Sequence, residues 1–547
     1  MRMPSSRALF LGCCVLLLGG GAVLVCSDET SPEAYIELAD RQFLETRYRD
    51  AADNYRRARD HEAIKSKISL IRRAAAGLTR SLLRQTRFAD ARSEAAQYLA
   101  AHPIDSEALT LDGETLWGVG LFPEAEQRFS DAIARDPNDT YAYHGLARAL
   151  AAQRQFEPAL EKADEAIRRT PREVEPRFTR AFILERLHRF DEAAVTLREA
   201  MTLFGPDEKS DRVLLTRSQI KFLESFKGRT PYEVADDLAD KTFTVPFRLD
   251  RDKIVVKGRF NGGNMIDLVL DTGAEMTVVS RRTAERTGVQ PSGYTISAGV
   301  GERGVRGLMV GRLDKLEIGQ FRIKHVPALI KSPALVGIPR IEADSFSPLS
   351  LGMSMTIDYT KKQLTFGRHV EPRGEIELPL YSYRLVMVRG TINDRTPASF
   401  VVDTGGEVIS ISSSMAAMLD KPRARRIPLK VWGSSGWDRD AELWPGLALA
   451  FDRIRFENFS TVVLNLRAPS ALLGFELGGI VGHRFLSKYH VGVDLKRNRL
   501  TLTPNAPGGA SKVRTADAAG AGDGGMIMPS VRLSASASLP GAPVVVQ

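Results

Sequence analysis

A helical solenoid followed by a two-lobed, all-β region is the multidomain α plus β fold that this 547-residue sequence predicts. Three observations carry that reading. Alanine and proline recur every 34 residues through the first third of the chain. The apolar pattern then changes from a period of 3.6 to a period of 2. One short motif is written twice in the second part of the chain. The length exceeds one ordinary core and calls for about three or four units.

Taken in order, residues 1–30 read as a targeting segment. Arg2 and Arg7 precede an uncharged apolar stretch from Ala8 to Cys26, and Asp28 and Glu29 follow it. That stretch is long enough to span a bilayer as a helix. Basic residues before it and acidic ones after place the remainder outside the cytoplasm, periplasmic or otherwise extracytoplasmic. A membrane anchor and a cleaved signal peptide, cut near Gly20-Gly21-Ala22, both fit. All three cysteines, Cys13, Cys14 and Cys26, lie here. Disulfides, a cysteine nucleophile and cysteine-ligated zinc are therefore excluded from the rest of the chain. The net charge of +9 is spread over helical faces and forms no aromatic-interleaved stripe, so nucleic acid is not an expected partner.

Residues 31–205 form the repeat array. Ala91, Ala125, Ala159 and Ala193 are spaced by 34, as are Pro103, Pro137 and Pro171, and Ala132, Ala166 and Ala200. Small residues let antiparallel helices approach, and a proline ends each second helix. The pattern resembles tetratricopeptide repeats, with "GETLWGVGLFPEAEQRFSDAIARDP" the best of five copies. One copy cannot bury its apolar face alone, so copies stack. The resemblance implies a curved surface that binds a peptide or protein partner. Residues 206–242 then supply a capping helix, "DRVLLTRSQIKFLESF", and a linker broken by Pro231.

From residue 243 onward strands dominate. "LVLDTGAEMTVVS" begins at Leu268, and "FVVDTGGEVISIS" begins at Phe400, placing Asp271 and Asp403 132 positions apart. An Asp-Thr-Gly triplet should arise by chance about 0.1 times in such a chain. Each triplet follows an apolar strand. Gly352 and Gly482 follow 81 and 79 positions after the two aspartates, and each half ends in a pair of strands. The halves divide at residues 243–370 and 371–505.

This doubled region resembles the retropepsin/pepsin-like aspartic peptidases, whose two homologous lobes each carry Asp-Thr/Ser-Gly. The resemblance implies that Asp271 and Asp403 share one proton and activate a water between them, either serving as base or acid. In that family two adjacent carboxyls cannot both ionise, so one stays acid while the other is carboxylate. By the same resemblance, Thr272 and Thr404 hydrogen-bond across the lobes, and Gly273 and Gly405 allow tight turns beneath the carboxyls. Leu351-Gly352 and Val481-Gly482 pack against the catalytic loops. Two hairpins are expected to serve as flaps: Ser297 to Gly307, with Gly299, Gly301 and Gly304, and Val431 to Asp440, with Trp432, Gly433 and Trp437. Glu275 and Glu407 would raise the pair's pKa values if they lie close.

No His-Glu-x-x-His motif, nucleophile elbow or phosphate-binding loop is present, and neither a metal nor a cofactor is expected. His483 and His490 read as packing or surface residues. Residues 506–547, rich in Ala, Gly, Ser and Pro, read as a disordered tail. The expected activity is peptide-bond hydrolysis on a peptide or protein substrate. The alternative is an envelope scaffold or peptide-binding protein whose β lobes do not cut.

Overall fold

The structure is a computed structural model that describes residues 31–204, 210–301, 304–331, 344–419 and 426–505. Residues 1–30, expected to be a signal peptide or anchor, and residues 506–547, expected to be a disordered tail, lie outside the described residues. No described helix is long and apolar enough to cross a membrane.

The array consists of five helix pairs: α1 (Pro32–Leu44) with α2 (Tyr48–Asp60), α3 (Ile68–Arg84) with α4 (Phe88–Ala101), α5 (Ser106–Gly118) with α6 (Phe122–Arg135), α7 (Thr140–Ala152) with α8 (Phe156–Arg169), and α9 (Glu175–Arg186) with α10 (Phe190–Met201). The alanines of the 34-residue period are fully buried where helices cross. Close approach is the reason for small residues: a Cβ on Gly113 or Gly145 would meet the Phe129 ring at 2.7 or 2.3 Å. Pro103, Pro137 and Pro171 each stand two residues beyond the end of a second helix, where the helical hydrogen-bond ladder has stopped. A final helix, α11 (Asp211–Glu224), packs on α10 and buries Phe222 and Leu223.

The first lobe contains β1 (Phe243–Pro246), β2 (Lys253–Phe260), β3 (Ile266–Leu270), β4 (Thr277–Ser280), β5 (Pro291–Ala298), β6 (Val305–Ile318), β7 (Phe321–Lys331), β8 (Asp344–Phe346), β9 (Ser354–Asp358) and β10 (Gln363–Gly367). The second contains β11 (Ile376–Ser382), β12 (Val386–Ile392), β13 (Thr396–Val402), β14 (Ser410–Ser412), β15 (Glu442–Phe451), β16 (Ile454–Leu464), β17 (Gly479–Val481), β18 (Tyr489–Asp494) and β19 (Arg499–Pro504). In the first lobe the order β7-β4-β8-β3-β2-β6 closes on itself through the β6–β7 pair. In the second the order β16-β14-β17-β13-β12-β15 closes through β15–β16. The two six-stranded rings have the same strand order and the same mixture of parallel and antiparallel pairs. The repeated motif thus marks a repeated fold. Ring closure removes exposed strand edges.

Between the rings runs a shared antiparallel sheet, β1-β10-β9-β18-β19-β11, whose central pair joins the lobes with Thr356 opposite Gly492. Phe366, Leu364, Val493 and Leu502, all buried on these strands, join the cores of both lobes into one apolar cluster.

The array packs against the lobes at the C-terminal ends of its first helices and the turns that follow. Trp117 lies 5.0 Å from Tyr383 and 5.8 Å from Phe475 between ring centroids. Phe122 lies 5.2 Å from Phe475, and Phe182 lies 4.5 Å from Tyr383. Polar contacts fix the register: Glu476 N–H donates to the Gly118 carbonyl at 2.8 Å, and the Asn498 side-chain amide donates to the Gln153 carbonyl at 2.9 Å. Helix α11 does two jobs. It covers the last repeat and also lies against β5, where a Cβ on Gly293 would meet the Ser218 carbonyl at 2.8 Å. Part of the surface expected to receive a partner is therefore taken by the chain's own lobes.

Candidate active site

Each Asp-Thr-Gly loop leaves the end of an inner ring strand, β3 or β13. Each is tied to the parallel neighbour: Asp271 N–H donates to the Phe346 carbonyl, and Asp403 N–H to the Val481 carbonyl, both at 3.0 Å. An apolar strand followed by Asp-Thr-Gly ends its ladder at the aspartate, because the next residues turn away to bond across the lobes.

Thr272 and Thr404 make those cross-lobe bonds reciprocally. Thr272 N–H donates to Thr404 Oγ1 at 3.1 Å, and Thr404 N–H donates to Thr272 Oγ1 at 3.0 Å. Each hydroxyl donates in turn to a carbonyl of the opposite lobe, Thr272 to Val402 at 2.6 Å and Thr404 to Leu270 at 2.7 Å. Both threonines are buried.

This grip brings the aspartates together. A Cβ on Gly273 would come within 2.5 Å of Asp403 Cγ, and one on Gly405 within 2.8 Å of Asp271 Oδ1. Glycine is needed at both positions because each backbone runs against the opposite carboxyl. Gly405 N–H also donates to Asp403 Oδ1 at 2.8 Å. The Asp403 carboxyl is pushed up to about 6, first by burial and then by the charge of Asp271. The Lys253 ammonium and the N–H groups of Gly405 and Gly406 pull the other way.

Three charged residues that the motif does not reveal surround the loops. Lys253, at the start of β2, donates to the Gly405 carbonyl across the lobe boundary, and burial lowers its pKa. Arg484 pairs with Glu407 at 2.5 Å, and Arg384 pairs with Glu275 at 3.2 Å. The two glutamates expected to raise the pair if close each face an arginine, and the causes that raise Asp403 are burial and Asp271.

The two late glycines part company. Gly482 lies against the second loop, where a Cβ would meet the Val408 carbonyl at 2.7 Å. Gly352, at φ 76°, caps a short 3-10 turn and has open space at its Cβ position, so it does not press on the first loop. The corresponding expectation for Gly352 is corrected. His483 is buried beside Tyr359, 3.4 Å from its hydroxyl, and burial lowers its pKa to about 4.

The two glycine-bearing hairpins meet. One connects β5 and β6 and carries Gly299, Gly301 and Gly304. The other pairs Val431–Gly433 with Gly436–Asp438. Ser435 N–H donates to the Val300 carbonyl at 2.9 Å. Cβ atoms on Gly301 and Gly433 would overlap the opposing backbone at 2.5 and 2.4 Å, so the tips cross where only glycine fits. Trp432 and Trp437 face each other across the second hairpin, with ring centroids 5.2 Å apart. At the tip, Val300 packs on the same apolar cluster as Val408 and Ile480, which flank the Asp403 loop.

The aspartyl protease family model matches residues 256–355 and 388–477, one stretch in each lobe. The tetratricopeptide repeat model matches residues 76–140 and 110–174. Among solved structures, the chain is similar to TTC0263, a tetratricopeptide protein of Thermus thermophilus. That match has 17% identity and a TM-score of 0.29, covering 32% of this chain and 93% of that one. It is also similar to YrrB, described as a tetratricopeptide protein with an unusual peptide-binding site (17% identity, 32% and 86% covered, TM-score 0.22). A third match is pilF of Pseudomonas aeruginosa (17% identity, 36% and 86% covered, TM-score 0.27). The comparison with curated proteins finds no match. The chain thus carries tetratricopeptide repeats in its N-terminal region and aspartyl protease domains in its C-terminal region.

Proposed function

We propose that the protein is an aspartic endopeptidase whose catalytic residues are Asp271 and Asp403. The observation that carries this reading is the convergence of the two loops, with each glycine backbone against the opposite carboxyl under reciprocal threonine hydrogen bonds. Two carboxyls so close hold one proton between them, and burial together with the charge of Asp271 raises Asp403. The carboxylate accepts a proton from water as the water oxygen attacks the peptide carbonyl. The acid hydrogen-bonds the carbonyl oxygen as it gains charge. Collapse of the tetrahedral species then breaks the C–N bond, with a proton delivered to the leaving nitrogen. The meeting of the two hairpin tips, one from each lobe, supports their role as flaps that close over a bound peptide and exclude water.

The array is proposed to hold a protein or peptide partner on the surface its lobes leave uncovered, consistent with the class of repeat it contains. The charge pattern around Ala8–Cys26 supports export, with the N-terminal segment as anchor or signal.

The test uses the whole exported chain, because the array and lobes share one apolar cluster. Cleavage of a peptide library by wild type is compared with that by Asp271→Asn and Asp403→Asn. Cleavage in wild type that falls at least a thousandfold in both folded variants supports the reading. Equal rates in all three, or none in wild type from pH 3 to 7, would leave the non-cutting scaffold as the better account.

A further inference from the structure

Where the array meets the first lobe, a cavity of about 40 Å³ lies among Arg154, Glu185, Arg186, His188, Tyr232 and Ser350. That is room for roughly three waters. Arg154 and His188 occupy the same turn position in successive repeats, 34 residues apart, and Arg186 ends helix α9. The cavity is thus lined from two repeats, the linker at Tyr232 and the turn before β9.

Two guanidiniums and one carboxyl line it, and Glu275 adds its field to Arg186 from nearby. Arg154 and Arg186 both lie near one ring, their guanidinium carbons 5.4 and 5.7 Å from the Phe156 centroid. Arg154 Nε donates to the Leu495 carbonyl at 3.1 Å. Arg186 Nε is buried with no acceptor among the described residues. Neither guanidinium forms an ion pair with a described carboxylate. Glu185 is the acid in the lining. Its carboxylate accepts from the Gln219 amide at 2.6 Å, and burial raises its pKa to about 7. Burial and the neighbouring charge of Arg186 lower Arg154 to about 10. Arg154, Glu185 and Arg186 are half-buried, and a guanidinium partly withdrawn from water favours a partner of opposite charge. The planar fork of arginine matches an oxyanion in particular.

We propose that this cavity binds a small oxyanion, a phosphate or a carboxylate group, held by Arg186 and Arg154 between the array and the first lobe. The bound anion supplies the acceptor that Arg186 Nε lacks and ties repeats four and five to the Ser350–Gly352 turn. This site is separate from the aspartate pair and does not depend on peptide cleavage.

The test measures thermal unfolding of the full chain at constant ionic strength, with chloride replaced stepwise by inorganic phosphate or by acetate. A saturable rise in midpoint with either anion is expected, and the anion that produces it identifies the phosphate or carboxylate source. Arg186→Met should fold at least as well as wild type in chloride, because it removes a half-buried guanidinium whose Nε has no acceptor among the described residues, and should bind the anion at least tenfold more weakly. Arg154→Met provides a second variant, with the same direction of effect on binding. The proposal is overturned by a wild-type midpoint that responds to neither anion beyond chloride. It is equally overturned by an Arg186→Met protein whose response is unchanged, or by a loss of stability in chloride of the size seen when a satisfied ion pair is broken.

Discussion

Thr272→Val is the sharpest probe of the aspartate loops, because valine keeps the shape of threonine and removes only the hydroxyl. That hydroxyl donates to the Val402 carbonyl at 2.6 Å and accepts from Thr404 N–H at 3.0 Å. The substitution leaves one carbonyl and one N–H without their partners at a buried site. Each such group costs about 1–3 kcal/mol, so the loss should be about 2–6 kcal/mol. Thr244→Val is the control. Its hydroxyl faces that of Thr365 at 2.9 Å on an exposed strand, and its loss should stay within about 0.5 kcal/mol. Urea unfolding followed by tryptophan fluorescence reads the lobes, since Trp432, Trp437 and Trp444 all lie in the second one. Peptide cleavage is measured in parallel and should fall as the two loops lose their common register. A Thr272→Val protein with wild-type stability and wild-type cleavage would refute the claim that reciprocal threonine bonds hold the aspartates together.

Asp403 has a folded pKa raised to about 6 from 3.8. Its contribution to stability is therefore full below about pH 3.8 and is lost as pH rises through about 6, a change of at most about 3 kcal/mol. Wild type minus Asp403→Asn should show that fall in denaturant titrations between pH 4 and 7, and cleavage should decline above about pH 6; a flat difference contradicts the raised pKa. The Arg384–Glu275 pair at 3.2 Å is half exposed, so a double-mutant cycle of Arg384→Met and Glu275→Gln should give a coupling of about 1 kcal/mol or less in stability. The same variants should lower kcat/KM about tenfold if the pair positions the first loop, and equal kcat/KM in all four proteins would exclude that role. Phe475→Ala removes a fully buried ring that packs edge-on against Trp117 and Phe122, at a cost of about 3–5 kcal/mol. Limited proteolysis should then cut faster within residues 205–242, and an unchanged cutting rate would mean that the aromatic cluster does not hold the array to the lobes.

The parts legible in the sequence are those governed by local periodicity. Ala125, Phe129 and Ala132 announce helix crossings because a helix shows the same face every few residues. Two copies of Asp-Thr-Gly announce two lobes because the loop chemistry permits little variation. Contacts between distant segments left no such trace. Nothing in the sequence marks Trp117, Phe122 and Tyr383, yet they form the junction between array and lobes. Nothing around Lys253, Arg384 or Arg484 marks them as neighbours of the aspartate loops, since their partners lie in remote segments of the chain. Gly352 and Gly482 look equivalent in sequence, but Asp271 bonds to Phe346 and Asp403 to Val481, so the place of Gly482 in the first lobe is held by Ser347, five residues before Gly352.

Duplication alone would leave the two aspartates equivalent, and a shared proton would then favour neither. The charges around them break that equivalence although the strand order does not. With the motifs aligned at their spacing of 132, Lys253 of the first lobe corresponds to Leu385 of the second, and Asp252 corresponds to Arg384. The ammonium therefore reaches the Gly405 loop from the first lobe, while from the second a guanidinium reaches Glu275 on the other loop. The array deepens the difference. Phe182 lies 5.6 Å from the Arg384 guanidinium carbon and Glu185 adds its field to the same group, so helix α9 borders one lobe's ion pair. The counterpart, Arg484 with Glu407, has Asp252 as a further partner at 3.6 Å. Symmetric backbone geometry brings the two carboxyls together, while the Lys253 ammonium acts on Asp403 from one side only, and a variant that swaps Lys253 and Leu385 should move the pH at which Asp403 titrates upward, because the ammonium that lowers it is gone.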